Sequence, residues 1–134
     1  MTSIKRSLMA AAGNAGESLY VEDVFSTYLY TGTGATQAIT NGIDLDGEGG
    51  AIWFKSRSTA TNHRMFDTDR GRSVALTPDT TAANGGVSPA GNDLASFNSD
   101  GFTVGAPWHY DLNTASRTYA SWTFRKAEKF FDVV

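Results

Sequence analysis

Apolar and polar residues alternate with a period of two along most of the chain after Tyr20, and that period marks strands with two unlike faces. The clearest stretch is Thr118 to Arg125. There Ala120, Trp122 and Phe124 form an apolar face, and Tyr119, Ser121, Thr123 and Arg125 form the other. On this pattern Trp122 and Phe124 are expected between two pleated layers. Tyr20 to Thr31 alternates as well, with Phe25, Thr27 and Leu29 pointing one way and Ser26, Tyr28 and Tyr30 the other. Ala51 to Arg57 sets Ile52 and Phe54 against Trp53 and Lys55. Shorter strands are predicted over Gln37 to Thr40 and Arg64 to Asp67, the latter pairing back across the Ser56 to Asn62 loop. Leu94 to Phe97 and Phe102 to Val104 flank Asn98-Ser99-Asp100-Gly101, and an Asp-Gly pair between two apolar runs signals a hairpin. Phe130 to Val134 is predicted as a last strand. It ends in apolar sequence, so the domain is expected to continue past the chain end.

The remainder reads as connections. Thr31 to Gly34 is a turn, Asn41 to Gly50 a second, Gly-rich hairpin loop, and residues 77–93 a long surface loop with almost no apolar anchors, expected to be the most mobile part. Residues 2–12 differ in period. Ser3 suits an N-cap, Ile4, Leu8 and Ala12 fall at helical spacing, and Gly13 can end the helix. So short an amphipathic helix is not stable alone. It either frays as a tail or orders against a partner through Ile4, Leu8, Met9 and Ala12. The domain reading is an anchoring arm over 1–18 and a sandwich over 19–134.

About eight or nine short strands separated by Gly, Asn and Asp turns predict an all-β fold, a two-sheet antiparallel β-sandwich of jelly-roll or concanavalin A-like kind. No later helix is long enough for the crossover that a parallel sheet requires.

Composition fits. The 134 residues are 40% hydrophobic and 19% charged, with 14 glycines, which is the balance of a globular, turn-rich domain. The net charge of −3 provides no basic excess for a phosphate backbone, so nucleic-acid binding is not expected. The chain has no cysteine, which removes disulfides, thiolate metal sites and cysteine nucleophiles together. Lys5 and Arg6 before Leu8 to Ala12 imitate a signal peptide, but Gly13 and Asn14 stop the apolar run too early. No stretch approaches the length of a membrane span.

Three groups carry candidate chemistry. Asp44, Asp46 and Glu48 alternate around a Gly turn and could present oxygens to Ca²⁺, although the twelfth position of an EF-hand count is Lys55. The competing reading is a hairpin loop of solvated acids. His63 with Asp67, Asp69 and Arg70 could form a metal or acid–base site. The spacing fits no helix motif, and an Asp–Arg pair or a turn at Asp69 explains it as well. Trp108, His109 and Tyr110 follow Pro107 in a loop where rings can stack on sugars, cover the sandwich edge or fill a subunit interface. No Gly-x-Ser-x-Gly elbow, phosphate loop or dinucleotide fingerprint occurs.

Several phrases stand together: YVEDVFSTYLYTG at 20–32, NGIDL at 41–45, GEGGAIWFK at 47–55, FDTDRG at 66–71, FNSDGFTVG at 97–105, and YASWTFRKA with FFDVV near the end. This order resembles a domain recurring in virion proteins of tailed phages, over nearly the whole chain after residue 19. More distantly it resembles the concanavalin A-like or laminin G-like sandwich. The resemblance implies a non-enzymatic structural protein of the phage tail, the N-terminal part of a tail or tail-fibre protein. It implies neighbouring tail or baseplate proteins as partners, homo-oligomeric assembly (a trimer for a fibre) and no cofactor. The alternative it leaves open is a carbohydrate-binding module for host glycans. The expected partner contacts are Ile4, Leu8, Met9, Ala12, Trp108 and Tyr110.

Overall fold

The computed structural model describes residues 18–83 and 85–134. The helix expected over 2–12, and with it Ile4, Leu8, Met9 and Ala12, lies outside the described residues. A single helical turn, α1 (Val21–Val24), leads into β1 (Phe25–Thr31) and β2 (Gln37–Thr40). A second turn, α2 (Leu45–Glu48), precedes β3 (Gly50–Ser56) and β4 (Arg64–Asp67). Then follow β5 (Leu94–Asn98), β6 (Gly101–Val104) and β7 (Thr118–Arg125). One sheet has the order β1-β7-β3-β4 and the other β2-β6-β5. Every neighbouring pair is antiparallel. The molecule is an all-β sandwich of two antiparallel sheets.

The register explains how the layers fit. In the four-stranded sheet Tyr30 lies opposite Tyr119, and Tyr28, Ser121 and Phe54 form one row. Ser26, Thr123, Ile52 and Phe66 form the next. Residues in one row share a face, so the inner face of the central strand β7 is Tyr119, Ser121 and Thr123, all fully buried. Over the small hydroxyl side chains sits Phe102 from the other sheet. Its ring meets Tyr30 on β1 at 6.3 Å and Phe54 on β3 at 5.2 Å, both edge-on. Edge-on aromatic pairs add to the burial of the rings themselves. The hydroxyls are satisfied: Ser121 Oγ donates to the Tyr28 carbonyl, and Thr123 Oγ1 accepts from Asn41 Nδ2, each at 3.0 Å.

This reverses the expected facing of β7. Trp122 and Phe124 lie on the outer side of the sheet, with Trp53 in the same row as Trp122. The alternation is the predicted one and its direction is the opposite, because large neighbours on β1 and β3 need small residues between them to admit Phe102.

Other expectations divide similarly. The hairpin at 98–101 forms with Asn98 opposite Gly101. Gly101 has φ 151°, and a Cβ there would lie 2.0 Å from the Ile39 carbonyl oxygen on β2, so only glycine fits. The segment 41–50 is no hairpin loop: it crosses from the three-stranded sheet to the four-stranded one, and Leu45 of α2 seats in the core. Tyr20 to Val24 opens with a helical turn, where the Asp23 carboxylate accepts the Tyr20 N–H at 3.0 Å. Phe130 to Val134 is not a strand. A turn at 128–130, closed by the Ala127–Phe131 bridge, lays Phe131 on Phe124 at 5.3 Å.

Phe102 is fully buried and Val87 is two-thirds exposed. Phe102→Ala is expected to lower stability by about 3–5 kcal/mol and Val87→Ala by less than about 1 kcal/mol. Urea unfolding checks both; similar costs for the two would contradict the seating of Phe102 between the sheets.

Candidate functional site

The outer face of the four-stranded sheet carries the largest concentration of rings turned away from the core. Trp53 on β3 and Trp122 on β7 meet edge-on at 6.2 Å. Phe124, one row along, contacts Phe25 at 5.1 Å. His63, just before β4, meets Trp53 at 5.8 Å, and its Nδ1 accepts the Trp53 indole N–H at 2.9 Å. A neutral imidazole bonded this way carries its proton on Nε2. Trp53, His63, Trp122 and Phe124 together line an open cleft of about 210 Å³. The one Trp53 donor is thereby occupied, and the cleft offers aromatic surface with few polar groups.

The loop carrying Trp108 is held by a buried acid that sequence reading passed over. Asp93 is fully buried with φ 51°. Its carboxylate accepts the backbone N–H groups of Trp108 at 2.8 Å, His109 at 2.9 Å and Tyr110 at 3.2 Å, and the Ser88 hydroxyl. Four donors converging on one carboxylate compensate its burial. Trp108 is left 63% exposed, whereas Tyr110 is 3% exposed. Tyr110 is therefore a core residue, not a partner contact. Its ring packs edge-on against Phe66 at 5.4 Å, its hydroxyl donates to the Gly86 carbonyl at 2.7 Å, and Arg64 lies over its ring.

The same contacts fasten the 77–93 loop. Ser88 is bound to Asp93 and to the Ser73 carbonyl, and Asp79 accepts the His63 N–H at 3.1 Å. Its anchors are polar, which is why an apolar count finds none.

Asn113 is a second polar clamp. Fully buried, it donates from Nδ2 to the Ala35 and Gly105 carbonyls and accepts from Thr33 N–H and Gln37 Nε2. Beside it Asp111 accepts from the Tyr119 hydroxyl at 2.6 Å, the Thr114 hydroxyl at 2.7 Å and Arg117 at 2.9 Å. Burial pushes the Asp111 carboxyl up, but the hydrogen bonds from Tyr119, Thr114 and Arg117 outweigh it and hold the pKa below the usual carboxylate value. Burial first, and then the bond to Asp111, pushes Tyr119 up to about 12. Tyr30, stacked on Tyr119 at 5.2 Å, is raised well above the ordinary tyrosine value by burial first and then by the charges of Tyr119 and Asp111.

The other candidates are dispersed. Asp44 caps α2, accepting the Gly47 N–H at 2.8 Å, while Asp46 and Glu48 stand exposed. Among the described residues no three His, Asp or Glu side chains are placed to hold a metal ion. The His63 group separates three ways: His63 to Trp53, Asp67 to Arg70, and Asp69 to Lys126 at 2.9 Å. A wider cleft of about 650 Å³ is lined by Glu48 and the turn at 126–132, with charges of both signs. Among the described residues no helix is long and apolar enough to cross a membrane.

Fold and surface thus define a two-layer antiparallel β-sandwich with one aromatic outer face. The chain belongs to the family described as Domain of unknown function (DUF7483), whose model matches residues 21–130. No curated protein matches the chain, and no solved structure does.

Asp93→Ala strips the partner from three backbone N–H groups. It is expected to cost about 3 kcal/mol and to free the Trp108 loop, read as faster amide exchange at 108–110; unchanged exchange there would rule out the clamp. The tyrosine pair sets an alkaline limit. A tyrosine whose folded pKa is raised contributes stability that is complete below about pH 10 and is lost as pH rises through the folded value. Asp111, lowered, contributes stability present above about pH 4 and lost as pH falls through its folded value. The urea midpoint is therefore expected to decline between about pH 10 and 12, more shallowly in Tyr119→Phe. A midpoint as steep in that variant as in the parent would contradict the assignment.

Proposed function

We propose that the chain is a non-enzymatic structural module of a tailed-phage particle, the N-terminal part of a tail or tail-fibre protein. In this reading it packs through its outer aromatic face against neighbouring virion proteins and assembles as an oligomer. The phrases at 20–32, 41–55, 66–71 and 97–105 support the virion class by their resemblance. The observation that carries the docking role is the row Trp53–Trp122, with Phe124 beside it, on the solvent side of a sheet. Antiparallel sheets usually turn polar residues to that side, and aromatic residues are enriched where proteins meet.

A glycan-binding reading rests on a different residue. Trp108 projects into solvent from a loop whose backbone is fixed by Asp93. A pre-positioned ring suits stacking on a sugar.

One experiment separates the two. Purified chain is tested against isolated tail components and a glycan array, with Trp53→Ala/Trp122→Ala and Trp108→Ala variants checked for folding by circular dichroism. The expected result is retention by a tail component, weakened at least about tenfold by the Trp53/Trp122 pair (about 1.4 kcal/mol or more) and little changed by Trp108→Ala. Retention indifferent to both tryptophans, or a glycan signal abolished by Trp108→Ala with no tail binding, would overturn the docking reading.

A further inference from the structure

Sheet edges bind strands because their outward N–H and C=O groups lack partners. The edges of this sandwich are not equally open. On β4, Met65 exchanges backbone hydrogen bonds with Leu76. β5 is interrupted by a register shift between Leu94 and Ser96. β2 is four residues long. β1 differs from all three: it runs seven residues, FSTYLYT, with no charge, no proline and no bulge.

The parity of its hydrogen bonds can be read from its end. Gly32 N–H donates to the Arg117 carbonyl at 2.8 Å, and Ser116 N–H donates to the Gly32 carbonyl at 3.0 Å. Even-numbered residues therefore exchange bonds with β7, and odd-numbered ones direct theirs outward. At the ends the outward groups are partly used: Phe25 N–H caps onto the Val21 carbonyl, and the Thr31 carbonyl accepts from Gln37 Nε2 at 3.1 Å. In the middle, Thr27 and Leu29 present N–H and C=O groups that nothing among the described residues pairs.

We infer that the edge of β1 is the joint between two copies of this chain, paired antiparallel about a two-fold axis at Tyr28. This deepens the reading of the chain as an assembling module by naming the surface and the symmetry. With the axis at Tyr28, Thr27 of one copy lies opposite Leu29 of its mate, and Leu29 opposite Thr27. Hydrogen-bonded pairs exchange two bonds each, so all the open groups of Thr27 and Leu29 are satisfied at once.

The side chains agree. Leu29, 54% exposed and opposite Ala120 in its own sheet, comes to lie beside the mate's Thr27 and so extends the mate's row of Trp122 and Trp53. The apolar outer face then runs on across the joint.

Sedimentation equilibrium, with cross-linking, tests this. The parent chain is expected at twice its 14.3 kDa mass. Leu29→Lys places a charge at an exposed position of the joint and is expected to weaken dimerisation at least about tenfold, with unchanged circular dichroism. Tyr28 sits at a non-hydrogen-bonded site of the joint, where facing side chains come closest. The chain has no cysteine of its own, so Tyr28→Cys is expected to oxidise to a linked pair, while Val87→Cys stays single. A single-chain mass for the parent, a three-chain mass, or a dimer in which Tyr28→Cys does not link would overturn the two-fold joint. Tail binding that depends on Trp53 and Trp122 would survive any of these results. Conversely, a linked dimer that binds no tail component would leave the joint standing and remove the docking role.

Discussion

The seating of Phe102 over the small inward residues of β7 sets the rest of the sandwich. A central strand flanked by Tyr30 on one side and Phe54 on the other has room for one large ring above it. That ring comes from the opposite sheet, so the strand beyond Tyr119 must be small on its inner side. Ser121 and Thr123 meet that need, and their hydroxyls find partners in Tyr28 and Asn41. Since the strand alternates, choosing Ser121 and Thr123 for the inside places Trp122 and Phe124 outside. The aromatic outer face is thus a geometric consequence of how the two sheets interlock, and the large rings there remain available to other surfaces.

Closure of the loops follows a different chemistry. The chain has no cysteine, so no disulfide fastens its long connections. Three polar residues, Asp93 and Asn113 fully buried and Asp111 partly so, do this instead. Asp93 gathers the backbone of 108–110 and the 77–93 loop at Ser88; Asn113 ties the turn at 33–35 to Gly105; Asp111 ties Tyr119 to the loop before β7. Asp93 and Asn113 span segments far apart in sequence while Asp111 works within one connection, and each is surrounded by donors or acceptors enough to offset its burial.

These two devices explain what the sequence discloses. Period and turn chemistry are local, so β7 is legible to the residue, as are the 98–101 hairpin and the pairing of β3 with β4. Direction is not local. Ala120, Trp122 and Phe124 outweigh Tyr119, Ser121 and Thr123 in any count of hydrophobicity, and only the volume left between Tyr30 and Phe54 decides which set turns inward. Tyr110 is expected among the partner contacts for the same reason: a ring in a polar loop gives no sign of the Phe66 and Asp93 that draw it in. Asp93 itself has no signal beyond its place among Gly91 and Asn92, because its four donors come from positions 88 and 108–110.

The outer face and the open edge meet at β1, which contributes Thr27 and Leu29 to both. An edge strand left unguarded in a monomer invites indiscriminate pairing, which is why edges ordinarily carry charges, prolines or bulges. β1 carries none of these, although β4 and β5 are each protected. Protection confined to the other edges limits strand pairing to a single site, and a single site related by a two-fold axis closes after one event. The same rows that exposed Trp53 and Trp122 would then form one wide sheet with two aromatic patches on one face, related by the two-fold axis, so the packing that turned these rings outward also fixes their spacing in the assembly.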